Sequence, residues 1–134
     1  MFNDQEQSFL NQHRWATLTH LRSQGQPVSS MVAYARDGDQ FVVSTPGQTF
    51  KRHSIERDGR VNLCVISNAE PFNFIAIEGL ASITQSALEE RTKAVFANIA
   101  GTGFELPEDL PGWLEQQQRV IVLITPQRHH TVIR

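Results

Sequence analysis

Cysteine is nearly missing from this chain: Cys64 is the only one among 134 residues. No internal disulfide can form, which fits a reducing cytoplasm, and no Cys-x-x-Cys metal or redox motif exists. Long apolar runs are missing as well. No stretch approaches the ~20 residues of a membrane-spanning helix, so no membrane partner is expected. Charge of one sign is not in excess. The formal net charge is −2, which argues against nucleic acid as a partner. His-Glu-x-x-His, Walker and catalytic-triad patterns are absent, and no internal repeat or low-complexity tract occurs. The opening residues MFNDQEQSF lack the basic-then-apolar layout of a signal peptide, so a cytoplasmic protein is expected.

What is present suits one soluble globular domain spanning residues 1–134, since apolar residues make up 40% and charged residues 19%. Asp4–Gln12 reads as a short helix, with Asp4 as cap and Gln7 at its third position. Ala16, Leu18 and His20 alternate with Thr17, Thr19 and Leu21, which predicts a strand over Trp15–Leu21. Val28–Ala35 is a second strand. Asp37-Gly38 is a hairpin turn into Gln40–Ser44, so the first half reads as a meander of three antiparallel strands. Gln48–Glu56 is a short basic helix. Val61–Ile66 reads as a buried strand, with Cys64 a buried thiol. Phe72–Thr84 is a long strand that Gly79 bends or bulges.

Ala87–Ile99 is a helix on which Glu89 can pair with Lys93, and Gly101 stops it. Gly112–Gln118 reads as a short helix. Val120–Thr125 is a strand, Pro126-Gln127 breaks it, and Arg128–Arg134 forms a last short strand. Six or seven strands with short turns predict a mainly β fold with α. The expected architecture is an antiparallel, Greek-key-like barrel carrying two or three helices outside.

The chemistry concentrates in Phe41–Val65. A strand ends in Ser44 and Thr45, Pro46-Gly47 breaks it, and Lys51 and Arg52 open a helical turn. Four of the twelve Lys and Arg residues lie between Lys51 and Arg60, and Val61–Glu90 holds none. Hydroxyls at a strand end, N–H groups at a helix start and nearby cations are what a phosphate monoester requires. The alternative is a solvated basic face. Elsewhere, Tyr34 is either a proton donor or a packed strand residue. Glu78 needs a partner, Arg119 or Arg128. His129 and His130 are adjacent on a strand and point to opposite faces, so they do not share a metal. One of them can line a cleft. His20 reads as a partly buried polar residue, and the lone Gly101-x-Gly103 as a loop.

In order, FLNQHRWATLTHLRSQGQPVSSMVAYA, DGDQFVVSTPGQTFKRHSIERDGRVNLCV, FIAIEGLASI and VIVLITPQRHHTVIR resemble the FMN-binding split-barrel superfamily, the group that includes pyridoxamine 5′-phosphate oxidase. The likeness runs from Phe9 to Ile133 and is nearest the small single-domain flavin- and deazaflavin-dependent oxidoreductases. The resemblance implies a split barrel and a homodimer with two cofactor sites at its interface. It implies FMN or coenzyme F-420 as cofactor, the single-domain plan leaning to the deazaflavin, and hydride transfer to a small conjugated or heterocyclic substrate. The other function on this barrel is a non-catalytic flavin or haem carrier or sensor.

Carried over residue by residue, the ring rests against Ser29, Ser30, Met31 and Val32. The phosphate meets Val43, Ser44, Thr45 and Lys51, and Arg128 approaches the partner's cofactor. One departure stands out: the family's arginine lies two places after the lysine, where this chain has His53, with Arg52 one place early. A step of one residue is a rotation of about 100° on a helix. Either Arg52 misses the phosphate or His53 contributes.

Overall fold

The structure, a computed structural model, describes residues 1–134. Its elements are α1 (Asp4–Gln12), β1 (Trp15–Leu21), β2 (Pro27–Ala33), β3 (Ala35–Asp37), β4 (Gln40–Thr45), α2 (Phe50–Arg57), β5 (Arg60–Ile66), β6 (Phe74–Thr84), α3 (Leu88–Asn98), α4 (Leu110–Gln116) and β7 (Val120–Val132). The seven strands form one antiparallel sheet in the order β2-β1-β5-β6-β7-β4-β3. The sheet curls into a half-barrel, so the fold is the mainly β split barrel expected. Its helices number four rather than two or three.

The run Val28–Ala35 is not one strand and there is no three-strand meander. It divides at Tyr34. The part before pairs with β1 at one edge of the sheet, and Ala35–Asp37 pairs with β4 at the other. Tyr34 is fully buried where the chain crosses between the edges. Its hydroxyl donates to the carbonyl of Leu10 (2.6 Å), and its own carbonyl accepts from Asn98 Nδ2 (2.8 Å). Helices α1 and α3 thereby pin the crossover. Beyond it, Gly38 takes the left-handed conformation (φ +61°) that the tight β3–β4 hairpin demands.

The second departure is at Pro126. Strand β7 runs unbroken through it. Residues Val120–Ile124 pair with β4, while β6 pairs along almost the whole length of β7. The register slips at Glu78/Gly79, with Gly79 opposite Pro126 and Glu78 opposite Arg128. Gln127 is the extra residue of a bulge. A proline lacks an N–H, and a bulge is a place in a sheet that tolerates the loss. A Cβ at Gly79 would stand 2.8 Å from the carbonyl oxygen of Thr125, so the close approach requires glycine.

Strand alternation sorts the core. Leu18, Val32, Phe41, Val43, Leu63, Val65, Ile75, Ile77, Val122 and Ile124 point inward and pack with Phe9 and Leu10 of α1 and Ile55 of α2. Each fully buried aliphatic contributes about 1.5–3 kcal/mol. On the opposite face of β4 and β7, Val42 and Ile121 pack with Ala35 and Val95 beneath α3. Glu89 and Lys93 pair at 3.6 Å on α3 as the spacing predicts.

Helix α1 is capped by Asn3 rather than Asp4, in a capping box with Glu6. Glu6 also does more than cap. Its carboxylate is buried and accepts from the Asn3 N–H (2.9 Å), from Thr131 Oγ1 and from His129 Nε2 (3.0 Å). Burial alone would raise its pKa, but these hydrogen bonds outweigh burial and hold it below the ordinary carboxylate value. The stabilisation is therefore complete above the unfolded-state pKa of about 4.3 and is lost as pH falls through the lower folded value. Replacing Glu6 with Gln should cost about 1–3 kcal/mol at neutral pH, because donors are left without an anionic acceptor. Urea denaturation should show the difference between variant and wild type shrinking as the pH is lowered below 4.3.

Candidate functional site

The turn between β4 and α2 is built by threonines. Thr49 caps α2, its Oγ1 accepting from the Arg52 N–H (3.2 Å) and donating to the Pro46 carbonyl (3.1 Å). Alternation places the two hydroxyls that end β4 on opposite faces. Thr45 follows Phe41 and Val43 inward and is buried, 3.4 Å from Thr49 Oγ1. Ser44 faces the other way, with Val42, and its Oγ accepts from Arg119 Nη2 (3.0 Å).

Arg119 did not figure in the phosphate site read from the sequence, where it was only an alternative partner for Glu78. Nothing local marks it, because it follows three glutamines and precedes a strand. The turn out of α4 brings it to β4. Its Nη1 donates to Gln117 Oε1 (3.0 Å), and its guanidinium lies 4.5 Å over the ring of Trp113. No carboxylate pairs with it, and burial pushes its pKa down to about 10. Lys51 is half-buried too and has no ion-pair or hydrogen-bond partner. Burial first, and then the nearby Arg119 charge, lower its pKa.

Two of the other three cations of the basic stretch are engaged. Arg52 Nε lies 2.7 Å from Glu56 Oε1, and its Nη1 donates to the Gly47 carbonyl (3.1 Å). Arg60 holds Asp58 at 2.7 Å. His53 and Arg57 are exposed on α2. Of the four cations in this stretch, Lys51 is thus the one half-buried without a partner, and Arg119 comes from across the fold. Two half-buried cations, one of which feels the charge of the other and neither of which has a carboxylate partner, are costly unless an anion joins them. That is the donor set a phosphate fits. Beside Arg119 an open groove of about 770 Å³ runs between the start of α2, the start of α3 and α4, lined by Arg52, Glu89, Leu114, Glu115, Gln118 and Arg119.

The remaining site residues lie apart from this pair. Ser29 and Met31 are on the outer face of edge strand β2, where Ser29 bonds Thr19 (2.7 Å) and Met31 is 64% exposed. Ser30 and Val32 point inward, and the Ser30 Oγ is sealed with no protein partner. Arg128 is the partner of Glu78 (3.3 Å); both are exposed. Four strand positions separate β7 from β2, about 19 Å in a sheet, so Arg128 and β2 are not one site within a chain. His129 is bound to Glu6, whereas His130 faces outward in a groove of about 480 Å³ with Thr19, Asn62 and Glu78. Tyr34 is no free acid, since burial raises its pKa and its proton is held by Leu10. Cys64 is half-exposed on the outer face rather than buried.

Register lines up that outer face. Ser29, Thr19, Asn62, Glu78 and Arg128 form one polar row across five strands. Met31, Thr17, Cys64, Ala76 and His130 form the next. Phe72 and Ile66 are exposed beside it, 49% and 38%.

The pyridoxamine 5′-phosphate oxidase family profile matches residues 2–133, and the chain belongs to that family. No curated protein matches it in sequence. Solved structures share the fold. A conserved hypothetical protein from Mycobacterium tuberculosis, Rv2991, superposes with a TM-score of 0.80 at 22% identity, covering 98% of this chain and 84% of that one. An F420 reductase gives 0.78 at 20% identity, covering 96% and 98%. HutZ, the heme storage protein from Vibrio cholerae, gives 0.72 at 16% identity, covering 98% and 95%.

The anchoring turns depend on Gly47. A Cβ there would lie 2.1 Å from the carbonyl oxygen of Gln118, the residue that turns into β7 with φ +50°. Gly47→Ala should destabilise the protein by about 1–3 kcal/mol through forced backbone shifts. A lowered urea midpoint would show it; an unchanged midpoint would mean the two turns are not tightly packed.

Proposed function

We propose that the protein is a flavin- or deazaflavin-dependent oxidoreductase that transfers a hydride to a small conjugated or heterocyclic substrate. The observation that carries this reading is the uncompensated pair of Lys51 and Arg119 beside Ser44. FMN ends in a phosphate monoester and coenzyme F-420 carries a phosphodiester, and either anion suits two half-buried cations. When bound, the cofactor supplies the hydride chemistry; the protein positions it and excludes water. Lys51 and Arg119 neutralise the phosphate, Ser44 orients Arg119, and the Trp113 ring supports its guanidinium. Arg52, held by Glu56, takes no part, and His53 stands in solvent. The resemblance of the fold to an F420 reductase supports the deazaflavin, while the compact cation pair supports FMN.

A second reading is a non-catalytic carrier of flavin or haem, favoured by the shared fold with a heme storage protein. Turnover separates the two, because a carrier binds reduced cofactor and does not oxidise it when an acceptor is offered.

The functional unit is a homodimer in this reading. The outer face of β2, β1, β5 and β6 has no helix over it and exposes Met31, Ile66 and Phe72. Its Glu78–Arg128 pair gives it charges of both signs for a second copy. Such a dimer would bring Arg128 of one chain toward β2 of the other. The lone half-exposed thiol accords with a cytoplasmic setting.

Two results would test this. Lys51→Ala and Arg119→Ala should each weaken FMN or F-420 binding by about 1.5–3 kcal/mol, whereas Arg52→Ala should change it by less than about 0.5 kcal/mol. Equal losses at all three positions would place the phosphate elsewhere. Met31→Glu should convert dimer to monomer in light scattering; a monomeric wild type would remove the dimer.

A further inference from the structure

The β1–β2 turn and the last turn of α2 carry two arginines without acidic partners. Arg22 stands in a stretch, Trp15–Arg36, that holds no aspartate or glutamate. Arg57 has a carboxylate on each side in sequence, but Glu56 holds Arg52 and Asp58 holds Arg60, both at 2.7 Å. The two free guanidiniums line one open groove of about 490 Å³ together with Ser23, Gln24, Gln26 and Phe50, and no carboxylate enters its wall. The turn that carries Arg22 is fixed. The Arg22 N–H donates to the Gln26 carbonyl and the Gly25 N–H donates to the Arg22 carbonyl, both at 2.9 Å, and Gly25 takes the left-handed conformation (φ +92°) that this requires. The Arg22 guanidinium is placed as well, with Cζ 5.3 Å from the centroid of the Phe50 ring. That ring is half exposed and packs on buried His20, 5.7 Å between centroids. Phe50 therefore backs a cation at the groove instead of filling the core.

We propose that the groove between Arg22 and Arg57 is a second anion site and takes a diphosphate group, either inorganic pyrophosphate or the diphosphate of a nucleotide. Each guanidinium presents a planar fork of N–H donors that matches phosphoryl oxygens, and two forks on one groove suit two linked phosphoryl groups. Ser23, Gln24 and Gln26 add neutral donors along the wall. The contact with Phe50 holds Arg22 in place before the anion arrives, so less side-chain freedom is lost on binding. The groove is open to water, so its attraction is screened by salt. It shares no lining residue with the groove beside Arg119, and the inference does not depend on the cofactor reading.

The test is calorimetric titration of the full chain with inorganic pyrophosphate at low ionic strength and without divalent cations. It is run in Lys51→Ala, so that the other proposed anion site does not contribute. This variant should bind one pyrophosphate. Adding Arg22→Gln or Arg57→Gln should weaken that binding roughly tenfold or more, the usual effect of losing a hydrogen bond to a charged group. Adding Phe50→Leu should weaken it by a smaller factor, since both arginines remain. Adding Arg14→Gln, which removes an exposed arginine elsewhere, should leave it unchanged. All four substitutions are at exposed positions, so the variants are expected to fold. ADP is titrated alongside: tighter binding than pyrophosphate identifies a nucleotide as the source of the diphosphate, and weaker binding identifies the free anion. No pyrophosphate binding in Lys51→Ala overturns the proposal, as does binding that survives Arg22→Gln and Arg57→Gln together. A tetraglutamate peptide that binds as tightly as pyrophosphate overturns the diphosphate assignment. Failure here leaves the cofactor reading intact, because that reading is tested by FMN and F-420 binding at Lys51 and Arg119.

Discussion

Strand β7 has to serve two partners, and most of the architecture depends on that. Its first five residues hold β4, and nearly its whole length holds β6. Between the two, the register slips at Glu78/Gly79, and the bulge there bends the strand pair. Gly79 allows the close approach, and Pro126 sits where its missing N–H does least harm. The bend closes the inner face over one aliphatic core and leaves the outer face of β2, β1, β5 and β6 without a helix. It also delivers the two ends of β7 to different surroundings. Arg119, just before its start, reaches Ser44, and Arg128 and His130, near its end, reach the open outer face.

Charge is distributed with the same economy. The basic stretch around α2 would be an unremarkable solvated face if every cation had found its nearest carboxylate. Arg52 and Arg60 do so, four and two residues away. Lys51 does not, and a second cation joins it from a distant part of the chain. A protein that leaves two half-buried cations adjacent pays for it in stability unless an anion is bound, and ligand sites are where such arrangements concentrate.

Much of the fold was legible from period and punctuation. Alternation in Trp15–Leu21 marks β1 to the residue, and Asp37-Gly38 marks the β3–β4 hairpin. Gly79 marks the bulge. What could not be read was tertiary. Val28–Ala35 is uniformly strand-like, and only the bonds of Tyr34 with Leu10 and Asn98 split it between two edges. Pro126 reads as a stop because its tolerance depends on Gly79, nearly fifty residues away in the chain. For the proposed site, Lys51 stands in the charge run beside a helix start, and Arg52, one place early, is paired with Glu56. Ser44 and Thr45 belong to opposite faces by the strand's own period. Arg119 was out of reach, since its place next to Ser44 comes from a contact spanning 75 residues.

The central claim is that Lys51 and Arg119 await the phosphate of a flavin-type cofactor. The most direct measurement compares the affinity of the purified protein for FMN with that for riboflavin, which has the same ring and no phosphate, and likewise for F-420 and its phosphate-free deazaflavin core. The account predicts that at least one phosphate-bearing form binds roughly tenfold or more tightly than its core, a difference of about 1.4 kcal/mol or greater. Equal affinity within both pairs would contradict it.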